Sequence, residues 1–244
     1  MREFRLMAEE AGNPNEKASL MINEVRCYCS LGRLGDAERT LGEIRDLAVD
    51  DVVVRVNVDF GAASLAAQRG DMKNALVRYE AILQEYVQLL STSEYRDLYE
   101  DIQQRRAFAL ANLDRYAESL SVLREATSFR TLTAEDHQQI HLYLGICYGE
   151  LRESALAKDE LLRAIDFGLK NDVEAQARYR AGILYFSAGA FAQAKYQLQT
   201  ILEDRQGDIP NLPRGYIYEQ LSRTCHYLGE EENARRYMKM AQRS

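Results

Sequence analysis

The stretch that decides the fold is Leu144-Gly145-Ile146-Cys147-Tyr148, followed by Ala157-Lys158-Asp159-Glu160-Leu161 and Ala164. It recurs as Ala181-Gly182-Ile183-Leu184-Tyr185, followed by Phe191, Ala194, Leu198 and Ile201. Six copies align on one small residue: Ala37, Ala75, Ser119, Ala157, Ala194 and Ala234, at spacings of 38, 44, 38, 37 and 40 residues. Self-similarity at such a period marks a solenoid, in which each unit buries its apolar face only against its neighbours.

Each copy reads as two helices. Four residues after the small residue stands Leu41, Tyr79, Leu123, Leu161, Leu198 or Met238. Three further on stands Ile44, Ile82, Ala126, Ala164, Ile201 or Ala241. The i, i+4, i+7 spacing is one face of a second helix. Upstream, a first helix carries Tyr28, Ala66, Leu110, Tyr148, Tyr185 and Cys225 in equivalent places. Three residues before those stand Val25, Ala63, Ala107, Gly145, Gly182 and Ser222, five of them small, as close helix packing needs. Turns at Gly32, Gly70, Asp114, Arg152, Gly189 and Gly229 separate the helices, and glycine there supplies a left-handed helix stop.

Bulk properties narrow the class. The chain has 244 residues, is 46% hydrophobic and carries a net charge of −7. That is enough for a packed core, and the acidic balance argues against a broad nucleic-acid surface. No run of apolar residues is long enough for a membrane span, and the charged start, Met1 to Leu6, lacks a signal peptide's apolar stretch. Cys27, Cys29, Cys147 and Cys225 form no C-x-x-C pair and read as free, mostly buried thiols in a reducing, cytoplasmic setting. Only Pro14, Pro210 and Pro213 interrupt the helical pattern.

Boundaries carry their own signals. Val52-Val53-Val54 is β-branched, but Asp50 and Asp51 precede it as caps, so it reads as a helix start. Ser91-Thr92-Ser93-Glu94 and Thr133-Ala134-Glu135-Asp136 read as capping boxes or near relatives. Asp204 to Pro213 is the most loop-like stretch and the expected place for a nick or hinge.

This pattern resembles the tetratricopeptide repeat (TPR) superfamily, over about residues 17 to 244. The resemblance rests on Leu144, Gly145, Tyr148, Ala157 and Leu161; on Gly182, Tyr185, Gly189, Phe191, Ala194 and Leu198; and on Leu221, Leu228, Gly229, Ala234, Met238 and Ala241. There are departures: the family period is 34 residues, the consensus tryptophan is absent, and the closing proline is mostly missing. The resemblance implies an all-α, right-handed superhelical solenoid of about six TPR-like helical hairpins. The expected repeats are 17–50, 51–92, 93–130, 133–170, 171–206 and 211–244 of a single domain, with 1–13 the tail of a preceding helix. Both ends look cut. The expectation is a segment of a longer protein, or a chain that caps its ends by self-association.

The resemblance implies a non-enzymatic scaffold that binds a peptide or partner helix in a concave groove lined by first helices. A peptide-responsive sensory or regulatory domain of a larger signalling or transcription-regulating protein is the alternative. Projecting the register places Leu142, Tyr143, Ile146, Tyr179, Arg180, Ile183 and Phe186 at the centre of the groove. Arg26, Arg105 and Phe108 flank it on one side, and Tyr216, Arg223 and His226 on the other. An apolar, aromatic centre ringed by arginines has the composition of a binding hot spot. The lysine and asparagine clamp that some family members use for chaperone tails is absent; Ile22 and Arg26 stand where it would begin.

No cofactor or metal is expected. His137 and His141 have i, i+4 spacing, but Gln138 stands where a metalloprotease needs glutamate, and no third ligand is evident. There is no glycine-rich phosphate loop. Glu230-Glu231-Glu232 reads as a helix start paired with Arg235-Arg236, and Gln103-Gln104-Arg105-Arg106 as a solvated face.

Overall fold

The computed structural model describes residues 2–205 and 209–244. Among them are fourteen α-helices, and the only strand-like pairing is an isolated bridge between Ile209 and Leu212. The chain forms two compact units, Met1–Val122 and Leu123–Ser244, divided within one helix. The first unit holds α1 (Arg2–Glu10), α2 (Pro14–Ser30), α3 (Leu34–Arg45), α4 (Val52–Gln68), α5 (Met72–Glu85), the short α6 (Val87–Leu90) and α7 (Arg96–Asn112). The dividing helix is α8 (Tyr116–Ala126). The second unit continues with α9 (Ala134–Glu150), α10 (Ser154–Asp166), α11 (Asp172–Ser187), α12 (Phe191–Asp204), α13 (Arg214–Tyr227) and α14 (Glu231–Ala241).

Every hairpin turn is closed the same way. Gly32, Gly70, Asp114, Arg152, Gly189 and Gly229 all have φ between 61° and 82°. The next residue then donates its N–H back to the first helix: Arg33 to Tyr28, Asp71 to Ala66, Arg115 to Leu110, Glu153 to Tyr148, Ala190 to Tyr185 and Glu230 to Cys225, at 2.8–3.0 Å. This is the Schellman closure, with the left-handed residue just outside the helix and the following N–H bonded five residues back. Four glycines adopt it freely. Asp114 and Arg152 carry a Cβ into a region that costs roughly 1–2 kcal/mol.

Packing follows the small residues. Ala37, Ala75, Ser119, Ala157 and Ala194 are fully buried. A Cβ on Gly145 would lie 2.6 Å from Leu161 Cγ, and one on Gly182 would lie 3.0 Å from Leu198 Cγ. Where serine replaces glycine or alanine, its hydroxyl is satisfied across the same seam. Ser119 Oγ donates to the Ala107 carbonyl at 2.8 Å, and Ser222 Oγ to that of Ala234 at 2.7 Å. Within each unit every helix packs on the next, and first helices also touch: α2 on α4 and α4 on α7 in the first, α9 on α11 and α11 on α13 in the second.

The boundary signals divide. Asp51 caps α4, accepting from Val53 N–H at 2.8 Å and Val54 N–H at 3.1 Å, so the valine run is a helix start. Thr133 and Asp136 form a reciprocal capping box on α9. The Ser91–Glu94 expectation is corrected: no side chain caps a helix there. Ser91 and Thr92 donate instead to the carbonyls of Gln88 and Leu89, closing α6 ahead of a 3-10 turn at Ser93–Tyr95. This insertion accounts for the 44-residue spacing. It is anchored by buried Tyr86 and Leu90, the Tyr86 hydroxyl donating to Asp59 at 2.9 Å.

The loop-like stretch expected at Asp204–Pro213 joins α12 to α13 without a helix of its own, and its described part is packed. Ile209 and Leu212 are buried in the core of α11, α12 and α13. Gln176 donates to the Pro210 carbonyl at 3.2 Å and Arg214 to that of Arg205 at 3.1 Å. Gln206, Gly207 and Asp208 lie outside the described residues.

Candidate functional site

The residues expected to line or flank the groove fall in both units. Arg26, Arg105 and Phe108 lie in the first; Leu142, Tyr143, Ile146, Tyr179, Arg180, Ile183, Phe186, Tyr216, Arg223 and His226 lie in the second.

In the first unit Arg26 is exposed and donates to Asn57 Oδ1 at 2.8 Å, and exposed Arg105 pairs with Asp101 at 3.3 Å. Phe108 is corrected as an accessible groove residue. Ala107, Phe108, Ala109, Leu110 and Ala111 are all buried, so this part of α7 is enclosed around its whole circumference. Leu142 is corrected for the same reason. It is buried among Ala164, Ala177 and Ala181, filling the gap between α9, α10 and α11 that the two alanines of α11 leave.

The remaining residues of α11 and α13 come together. Tyr179 is half-buried against the core of Leu198, Ile201, Ile217 and Leu221. Burial is the main cause that raises the pKa of its hydroxyl; Glu219 and Tyr216 add to the effect, and Arg180 and Arg223 oppose it. Those four side chains therefore share the neighbourhood of one phenol. Arg180, Tyr216 and Arg223 are exposed, and Ile183 and Phe186 are half-buried. Near the turn end, the Arg223 guanidinium lies over the Phe186 ring, 5.4 Å from its centroid. Phe186 meets Phe191 and Tyr227 edge-on, each at 5.3 Å, and Phe191 stacks on Tyr227 at 4.9 Å. Tyr227 is 62% exposed, so this aromatic cluster opens to solvent. His226 is exposed and pairs with Glu231 at 2.8 Å.

The cluster can do two things chemically. Aromatic faces that are already packed bury ligand surface at little cost in side-chain entropy. A guanidinium held over a ring keeps its N–H edge for a carboxylate or a carbonyl. Phe191 and Tyr227 were missing from the sequence-derived groove. A signal was present: Phe186 and Phe191 bracket Gly189, and Tyr227 stands two residues before Gly229. Aromatic residues beside successive turn glycines meet at one edge.

Other candidates resolve into structure. His141 Nδ1 lies 2.6 Å from Glu160 Oε2, and Arg163 joins the same carboxylate at 3.1 Å. Among the described residues no three His, Cys, Asp or Glu side chains are grouped to hold a metal. The reading of Gln103–Arg106 as a solvated face is corrected, since Gln104 is fully buried and Arg106 is half-buried near Glu80. The expected pairing of Glu230–Glu232 with Arg235–Arg236 is also replaced. Glu230 holds Lys195 of α12 at 2.5 Å, and Glu231 holds His226. Cys147 and Cys225 are buried and Cys27 and Cys29 half-buried, all four as free thiols.

No protein-family model matches the sequence, and no curated protein does. The fold, however, is found among solved structures. The apo form of the quorum sensor NprR from B. thuringiensis aligns with a TM-score of 0.80 at 15% identity, over 98% of this chain and 68% of that one. The chain has the tetratricopeptide-repeat fold. PilF of Pseudomonas aeruginosa gives a TM-score of 0.71 at 14% identity, covering 94% of this chain and 92% of PilF. MamA gives 0.56 at 18% identity, covering 74% and 92%. At such identities the likeness speaks for the TPR solenoid and not for any neighbour's ligand.

Proposed function

We propose that this chain is a non-enzymatic protein-interaction scaffold, and that it binds a peptide or partner helix on the face formed by α11 and α13. The observation that carries this reading is Arg223 stacked on Phe186 within an aromatic cluster whose Tyr227 ring opens to solvent. Pre-packed aromatics beside arginine match the composition of energetic centres at interfaces. With Tyr179, Tyr216 and Arg180 alongside, the face suits a segment that offers an apolar side chain next to a carboxylate. Free thiols and the lack, among the described residues, of a helix long and apolar enough to cross a membrane fit a cytoplasmic setting.

The test is selection of peptides from a random display library on the wild-type chain, followed by titration against Arg223→Ala and Tyr179→Ala. The expected result is enrichment of peptides pairing an aromatic or branched side chain with an acidic one. Binding should weaken at least tenfold in each folded variant. Equal binding by wild type and both variants would move the site off this face. A change in small-angle scattering on binding would favour the peptide-responsive regulatory reading over a passive scaffold.

A further inference from the structure

Each unit has a junction where a second helix hands over to the next first helix, and the two junctions differ. In the repeat register Ala63 of α4 matches Gly182 of α11, so Arg55 stands where Glu174 does and Asp59 where Arg178 does. Arg45 and Leu47 stand where Ile165 and Phe167 do, and Tyr86 where Arg205 does. In the second unit these positions fill the junction. Ile165 is buried, Phe167 is half-buried, Glu174 and Arg178 pair at 2.7 Å, and Arg205 is held by Asp172. The space left beside Glu174, Arg178 and Arg205 is about 10 Å³.

In the first unit the same positions leave a cavity of about 200 Å³ between the end of α3 and the start of α4. Ile44, Leu47, Val49, Val58 and Tyr86 supply its apolar lining, and Arg45, Arg55 and Asp59 its charges. Asp59 does not pair with Arg55 one turn before it, but accepts from the Tyr86 hydroxyl at 2.9 Å, and Glu85 lies beside the same hydroxyl. Arg45 and Arg55 are exposed, and among the described residues no ion pair or side-chain hydrogen bond holds either guanidinium. The other acids near them are engaged elsewhere. Asp50, near Arg55, accepts from Asn15 at 2.6 Å, and Glu38, near Arg45, holds Arg69 at 2.6 Å.

Unfilled apolar space of this size costs stability, and the second unit closes it with side chains at the same positions. An apolar cavity of about 150 Å³ is large enough to take up benzene. We propose that the cavity of the first unit binds a small monocarboxylate with an aromatic or branched apolar body. The body fills the space among Ile44, Leu47, Val49 and Val58, and the exposed Arg45 and Arg55 take the carboxylate at the mouth. Guanidinium groups suit it, since each offers a carboxylate two parallel N–H donors. An amine would meet only Asp59 and Glu85, both already beside the Tyr86 hydroxyl. The site shares no residue with the peptide-binding face on α11 and α13.

Isothermal titration of the full chain with phenylacetate, 3-phenylpropionate and 4-methylpentanoate tests the proposal. Phenylacetamide and phenethylamine serve as neutral and cationic controls. At least one acid should bind with a dissociation constant of about 1 mM or tighter, within reach of a ligand of about ten non-hydrogen atoms. Both controls should bind about tenfold more weakly or not at all, as loss of a charge-assisted pair implies. R45Q/R55Q should show the same loss, and because both side chains are exposed it should keep the wild-type fold. V58F should abolish binding by filling the space while keeping wild-type circular dichroism. No binding of any of the three acids at about 10 mM would overturn the proposal. So would controls that bind as tightly as the acids, or binding that survives both variants.

Discussion

The hairpins α9–α10 and α13–α14 are built to one plan and end differently. Both close through a left-handed turn residue, Arg152 and Gly229, with the following N–H bonded back to Tyr148 and Cys225. Both seat a small residue on a small residue: Gly145 over Ala157, and Ser222 on Ala234. Yet Leu161 is 1% exposed and Met238 is 40% exposed at the same register position. The difference lies not in the hairpin but in what packs on its far side. In a solenoid the repeat sets where an apolar residue points, and the neighbour sets whether it is buried.

The comparison can be broken most forcefully at the seam. Gly145→Leu should be the most damaging change, because even a Cβ would press to 2.6 Å from Leu161 Cγ and 3.2 Å from the Ala157 carbonyl. A loss of about 3 kcal/mol or more in urea unfolding is expected. Gly182→Leu meets Leu198 at 3.0 Å and should cost roughly 1–3 kcal/mol by the same measurement. An unchanged midpoint in both would show that the register is wrong.

The turns allow a sharper and smaller test. Arg152 holds φ at 63°, where Gly229 holds 75° without strain. Arg152→Gly should therefore stabilise the chain by up to about 1 kcal/mol, read as a higher thermal midpoint. A loss of stability would mean that the Arg152 side chain makes a contact worth more than the strain.

The smallest effect concerns pH. Glu230 has its pKa held below the ordinary 4.5, chiefly by Lys195 and then by Asn233. A depressed carboxylate adds stability that is present above the unfolded-state value and is lost as pH falls through the folded one. Glu230→Gln should thus flatten the acid limb of the stability profile below about pH 4.5. An unaltered acid limb would show that the pair is solvated and contributes nothing.

Much of the fold was legible because its signals are local. The spacing from small to bulky residues, the six turn positions and the Asp51 and Thr133 caps depend on neighbours along the chain. The Ser91–Glu94 signal failed because Ser91 and Thr92 close the helix before them rather than open the one after. The loop between α12 and α13 was legible, but not that Ile209 and Leu212, among prolines and a glycine, find a core supplied by α11, α12 and α13. The site was legible only in part. Helical register predicts which side of α9 bears Leu142, but not that Ala177 and Ala181 leave a gap for it to fill. Phe191 and Tyr227 join Phe186 through the turn edge, a direction that a reading along first helices does not follow.

The most direct test sets Leu161→Ala beside Met238→Ala, unfolded in urea at a protein concentration low enough to keep the chain monomeric. Leu161→Ala should cost about 2–5 kcal/mol, as loss of a fully buried leucine does, and Met238→Ala no more than about 0.5 kcal/mol. Equal losses would contradict the account, because equivalent places in the repeat would then be equally buried and α14 would have no open face.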